Sequence, residues 1–186
     1  MPQPALLTRL TYEDFLGFPD DGRRHELIDG DHYVSPSPST KHQRIVLNVA
    51  MSLLSFIRPR SLGQVFCSPL DIVLSDFDVV EPDVFFVSRD RQSIITEHNL
   101  IAAPDLVVEV LSDSTRCRDE ITKRHLYERF GVREYWVVDP EIDAVKVYRL
   151  AGEKLIKAAE LSLEEGGALT TPLLPGLEIP VVQLFE

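Results

Sequence analysis

The sequence predicts an α/β fold with a mixed central sheet flanked by helices, and three observations carry that reading. The order of patterns is helix, antiparallel strand pairs, a single apolar strand, helix, strand, which is the alternation of a layered α/β core rather than of a bundle or a sandwich. The apolar run Pro104-Asp105-Leu106-Val107-Val108-Glu109-Val110-Leu111-Ser112 is short, rich in valine and bounded by turn residues, as a buried strand should be. At 186 residues, with 44% hydrophobic and 26% charged residues, the chain can bury a core without metal or disulfide staples, and it is read as one domain, 1–186.

The elements follow in order. Residues 8–18 predict a short N-terminal helix capped by Thr11, with Glu13 and Asp14 in the first turn. Asp29-Gly30 between Arg24–Ile28 and His32–Val34 signals a β-hairpin. After the Ser-Pro-Ser-Pro run at 35–38, Ser39 or Thr40 caps a helix ending near Ile57, with Ile45, Val49 and Leu53 on one face and Pro59 closing it. One or two strands over 64–74 are broken near Pro69, and 79–87 predicts a strand bulged or edged at Pro82. A polar connection over 88–103 leads to the central strand. A helix from about Arg118 to Phe130 stops at Gly131, a strand follows at Arg133–Val138, and 144–159 predicts a further hairpin. The tail closes through loops and one short strand.

Bulk properties exclude several function classes. No apolar run reaches the length that spans a bilayer, and residues 1–15 lack the basic-then-apolar order of a secretory leader. Cys67 and Cys117 have no metal-ligand spacing and read as reduced thiols, so the chain is expected in the cytoplasm. A net charge of −11 argues against a general nucleic-acid-coating role. Residues 116–133 are nevertheless locally basic, with six Arg or Lys against three acids; they could face phosphates or form a solvated helix face.

The chemistry starts at Glu109, a carboxylate inside an aliphatic strand. On a strand it shares a face with Val107 and Leu111, opposite Leu106, Val108 and Val110, and burial of its charge requires a cation or donors. Glu81-Pro82-Asp83 opens the preceding strand. Lys123 lies on the following helix, with Asp119 and Tyr127 four residues to either side on the same face. Read singly, Asp83 is a turn residue, Glu109 an arginine-paired structural acid, Lys123 an exposed helix lysine, Glu26 an exposed strand residue, His42 a first-turn polar group and Tyr127 a packing residue. Tyr135 and Trp136 read as core.

Taken together, HELIDG (25–30), HQ (42–43), EPDVFFV (81–87), PDLVVEVLSDST (104–115), the Asp119–Lys123–Tyr127 helix and GVREYWVVDP (131–140) resemble the Uma-two family of restriction-endonuclease-like proteins, within the PD-(D/E)xK nuclease superfamily. The resemblance covers roughly residues 8–160. It implies a restriction-endonuclease-like core carrying an N-terminal helix and hairpin extension, and an endonuclease acting on DNA. It also implies Mg²⁺ (or Mn²⁺) on Asp83, Glu109 and the Val110 carbonyl, with Lys123 assisting. The superfamily lysine two residues after the glutamate is Leu111 here, and the resemblance moves its role to Lys123. Glu26, His42, Asp119 and Tyr127 are accessory candidates, and Arg116, Arg118 and Arg124 are candidate contacts to nucleic acid. A homodimer is expected by analogy, since cutting both strands suits two-fold symmetry. The competing readings are a decayed nuclease fold kept as a binding module and a metal-dependent hydrolase of another phosphodiester.

Overall fold

A computed structural model describes residues 9–186; the leader reading of residues 1–8 lies outside the described residues. Two sheets meet at the centre. The first is four-stranded, in the order β2-β1-β5-β4, built from β1 (Arg24–Ile28), β2 (Asp31–Ser35), β4 (Ile72–Ser75) and β5 (Asp78–Val80). The second is six-stranded, in the order β10-β9-β8-β7-β6-β3. It comprises β3 (Gly63–Cys67), β6 (Val84–Ser88), β7 (Leu106–Val110), β8 (Glu134–Asp139), β9 (Ala144–Ala151) and β10 (Lys154–Ser162). It is mixed because β7 and β8 run parallel while their neighbours are antiparallel.

The alternation read from β7 holds. Leu106, Val108 and Val110 enter the core on one face, against Ile45, Val49, Leu53 and Ile57 of helix α2 (Thr40–Arg60). Val107 and Leu111 enter the core on the other face, with Leu126, Tyr127 and Tyr135, and Glu109 is on that side. Helix α2 starts where its cap dictates: the Ser39 hydroxyl accepts from the His42 N–H. Pro59 sits within its last turn and Ser61 ends it in the left-handed conformation. Helix α1 (Tyr12–Phe15) is shorter than the pattern over 8–18, and Thr11 and Asp14 form a reciprocal capping box.

Four sequence readings change. The strand expected over 79–87 is two strands in two sheets, because Pro82 has no N–H for a ladder and the chain crosses between sheets there. The hairpin β1–β2, turned by Asp29 (φ 52°) and Gly30 (φ 82°), is no appendage: Leu27 pairs with Val79 of β5, so the hairpin forms part of the first sheet. The helix after β7 is π-wound over Arg118–Lys123 before becoming α3 (Arg124–Arg129); such wide turns recur at functional sites. The tail pairs β11 (Ala168–Leu169) with β12 (Ile179–Pro180), ends in α4 (Val182–Phe185), and seals the α2 face with Leu174, Leu177 and Leu184. No helix among the described residues is long and apolar enough to cross a membrane, and Cys67 and Cys117 are free and exposed.

Two ionic clasps fix the helix and the strand that frame the junction of the sheets. Arg129 of α3 donates to Asp29 in the hairpin turn (2.7 Å) and to Asp78 of β5 (2.8 Å), tying helix to first sheet. Asp105, fully buried at the start of β7, accepts from the Ser88 N–H (2.8 Å) and pairs with Arg91 and Arg133, each at 3.2 Å. Its own carbonyl accepts from Arg133 and Glu134. Asp105→Ala leaves the Ser88 N–H unmatched and releases Arg133 and Arg91, the latter still donating to the Ala103 carbonyl, beside the strand that carries Glu109. It is expected to cost about 2 kcal/mol in urea denaturation; a loss below 1 kcal/mol would show that β7 is seated without the clasp.

Candidate metal centre and its ion cluster

The junction of the two sheets gathers side chains from six segments. β1 contributes Arg24 and Glu26, two residues apart and so on one face of the strand. Asp83 precedes β6. The ladder pairs Phe85 with Val107 and Val84 with Val108 and ends there, and the Val110 N–H donates to the Asp83 carboxylate just beyond it, so Asp83 lies beside Glu109. The π-wound turn contributes Asp119 and Lys123, α3 contributes Tyr127, and the first turn of α2 contributes His42.

Lys123 is at the middle, 1% exposed. Its ammonium lies 2.6 Å from Glu26 Oε1, 2.8 Å from Glu109 Oε1 and 3.6 Å from Asp119 Oδ1. The Tyr127 hydroxyl donates to the same Glu109 oxygen at 2.8 Å. Glu109 therefore has its partner, a lysine and a phenol rather than an arginine. Glu26, which alone reads as an exposed strand residue, is completely buried: its Oε1 also accepts from the Glu81 N–H at 3.1 Å, and its Oε2 faces Arg118 at 3.6 Å without a hydrogen bond.

Asp83 is held separately. Its Oδ1 accepts from Arg24 Nη2 (2.7 Å); its Oδ2 accepts from the Val110 N–H (2.8 Å) and lies 3.3 Å from His42 Nε2. Arg24 was invisible to motif reading, although its place two residues before Glu26 and the need of buried acids for cations could have raised it. Of the basic candidates, Arg118 stays beside the cluster, donating to Ser35 and lying over the Tyr33 ring. Arg116 lines the same cavity but is committed to Asp139 and Glu141. Arg124 packs over Tyr148, away from the cavity lining.

These two neighbouring carboxylates, Asp83 and Glu109, titrate in opposite directions. Burial works against ionisation of Asp83, but His42, Arg24 and the Val110 N–H outweigh it and hold Asp83 at about 2. Burial pushes Glu109 up; Lys123 opposes this, Asp119, Asp83 and Glu26 add to it, and the outcome is about 8. Glu26 is buried as deeply, yet Lys123, Arg118 and Arg24 bring it below the ordinary glutamate value. One ammonium cannot neutralise two acids, and Glu26 has two further cations behind it. Lys123 itself is held firmly charged: burial disfavours its charge, but the three surrounding carboxylates outweigh that.

Asp83, Glu109 and Val110 line one cavity of about 430 Å³, rimmed by Ser37, Ser39 and Ser112–Arg116. Among the described residues no three His, Cys, Asp or Glu side chains are arranged to enclose a cation. The donor set is instead two carboxylates on an open cavity. That suits Mg²⁺ or Mn²⁺ retaining waters and taking phosphate oxygens, not a closed structural zinc site.

The pH consequence has a definite sign. Glu109 moves from an ordinary 4.5 to about 8 in the fold, so its contribution is complete below pH 4.5 and is lost as pH rises to 8. Asp83 moves from 3.8 to about 2, so its contribution is present above pH 3.8 and is lost only as pH falls to about 2. In metal-free urea denaturation between pH 5 and 8.5, wild type should therefore lose stability relative to Glu109→Gln. Parallel curves would mean that Glu109 is ionised throughout.

The sequence model of the Uma2 family, described as "Putative restriction endonuclease", matches residues 12–182. No curated protein matches. Among solved structures, one described as a putative nuclease belonging to DUF820, from Anabaena variabilis ATCC 29413, superposes with a TM-score of 0.77 at 22% identity. The match covers 95% of this chain and 97% of that one, a likeness of fold.

Proposed function

Because the chain belongs to the Uma2 family of restriction-endonuclease-type proteins, we propose that it is a divalent-metal-dependent endonuclease hydrolysing phosphodiester bonds of DNA. The observation that carries this reading is that Asp83 and Glu109 line one cavity, Asp83 bonded to the N–H of the residue after Glu109 and the Lys123 ammonium 2.8 Å from Glu109. Asp83, Glu109 and the Val110 carbonyl would hold Mg²⁺ or Mn²⁺. The ion would supply Lewis acidity toward the phosphate and a water acidified for attack.

The chain's own residues do the rest. His42 and the Val110 N–H fix one oxygen of Asp83 and so orient the carboxylate. Tyr127 fixes one oxygen of Glu109. Lys123, held charged by Glu26 and Asp119, keeps positive potential where charge develops on the phosphate. Arg118 adds positive charge at the cavity wall. We take the active form to be a cytoplasmic homodimer of one-domain chains, the free thiols suiting a reducing compartment. A second reading, a nuclease fold retained as a binding module, is favoured by one feature: the Lys123 ammonium, although at the cavity wall, is 1% exposed and engaged by three carboxylates.

Cleavage of plasmid and single-stranded DNA separates the two. The nuclease reading expects Mg²⁺-dependent cutting that Asp83→Asn and Glu109→Gln abolish. Lys123→Ala should lower the rate about a hundredfold or more. It should also cost about 3 kcal/mol of stability, since it leaves the buried Glu26 without its nearest cation and Glu109 without its ammonium donor. DNA binding without cleavage under any divalent ion would leave the binding module.

A further inference from the structure

Asp83 holds three donors, but unequally. Oδ2 is occupied by a backbone N–H that cannot leave without breaking the strand pair, and by His42. Oδ1 has one partner, Arg24 Nη2 at 2.7 Å. Oδ1 is thus the oxygen open to exchange, and a cation already sits on it. Mg²⁺ binds carboxylate oxygen at about 2.0–2.1 Å, so ion and guanidinium would share one oxygen at contact distance, and their repulsion in a buried site expels the arginine.

Arg24 is poorly held by anything else. Its other hydrogen bond goes to a neutral hydroxyl, Ser68 Oγ, at 3.3 Å. Glu26, its neighbour on the strand face, is taken up by Lys123 and Arg118. The guanidinium also has room to move, because Arg24 lines both the main cavity and an adjoining one of about 290 Å³ that contains Ser68 and Glu81. Of the other cations lining the main cavity, Lys41 is paired with Asp143, Arg116 with Asp139 and Glu141, and Lys123 with Glu26 and Glu109, while Arg118 donates to Ser35 and lies 3.6 Å from Glu26, away from Asp83.

We propose that Arg24 is a placeholder cation. It occupies the metal-facing oxygen of Asp83 until a divalent ion displaces it, and the released guanidinium then binds the non-bridging oxygens of the substrate phosphodiester. Planar two-point pairing with phosphate is what a guanidinium does well. The proposal rests on the metal-dependent nuclease reading and adds a consequence: ion and DNA bind cooperatively, because the ion frees the group that holds the phosphate.

The test uses calorimetric titration of Ca²⁺ and Mg²⁺ into the free protein, and fluorescence anisotropy of a short DNA duplex with and without Ca²⁺. For wild type, Ca²⁺ should raise DNA affinity at least tenfold. Arg24→Gln should bind the ions at least as tightly as wild type, having lost the competitor. Its DNA affinity should no longer respond to Ca²⁺. Arg24→Lys, which keeps the charge, should stay folded and bind ions like wild type, with an intermediate DNA response. Weaker ion binding by both variants would overturn the proposal, since Arg24 would then only organise Asp83. So would an unchanged Ca²⁺ response in Arg24→Gln, which would send the displaced arginine to Glu81 rather than to phosphate. If wild type itself binds no divalent ion, the nuclease reading falls as well. If wild type binds ions and cuts DNA while the variants give either of those two overturning results, this inference alone falls.

Discussion

One contact organises the molecule: the Lys123 ammonium set between Glu26 and Glu109. It joins three pieces distant in sequence, the hairpin of the first sheet, the central strand of the second and the helix that follows it. Without that ammonium the ionised Glu26 would be buried short of its nearest cation, a penalty that is a sizeable part of a domain's net stability. The clasp from Arg129 to Asp29 and Asp78 runs beside it and holds helix and hairpin at the spacing the contact needs.

The same contact leaves the site unsatisfied in a useful way. Glu26, Asp83, Glu109 and Asp119 outnumber the cations that touch them directly, and the shortfall falls on Glu109, where three other acids converge and the lysine is shared. A carboxyl held near 8 beside one held near 2 is a pair pushed apart by its surroundings. On the proposed reading, a divalent ion entering there would recover the free energy stored in that imbalance, and acids that weaken the metal-free fold would be kept for that purpose.

Much of this was legible in the chain. The alternation in Leu106–Leu111 placed Glu109 on the correct face and its burial demanded a partner; helical spacing put Asp119, Lys123 and Tyr127 on one face, and the family resemblance directed Lys123 to the same site. The Asp29-Gly30 turn and the Ser39 cap read directly, because their chemistry is local. What could not be read was long-range. Nothing near Glu26 indicates that its strand joins Val79 and turns the side chain toward a lysine 97 positions on. Arg24 carries no motif, and its role follows only from the register that brings Asp83 within reach, 59 residues away. Arg116 and Arg124 read as a basic stripe, yet folding spends them on Asp139, Glu141 and Tyr148. Charge runs reveal composition, whereas pairing depends on tertiary contacts.

If Glu109 keeps its proton until a metal takes its place, metal binding must release that proton. Calorimetry of Mg²⁺ binding in buffers of differing ionisation enthalpy counts the protons released. Release of about one proton per ion is expected at pH 7, falling toward none by pH 9, with no such pH dependence in Glu109→Gln. Binding at pH 7 with no proton released would contradict it, for the carboxylate would then have been ionised before the ion arrived.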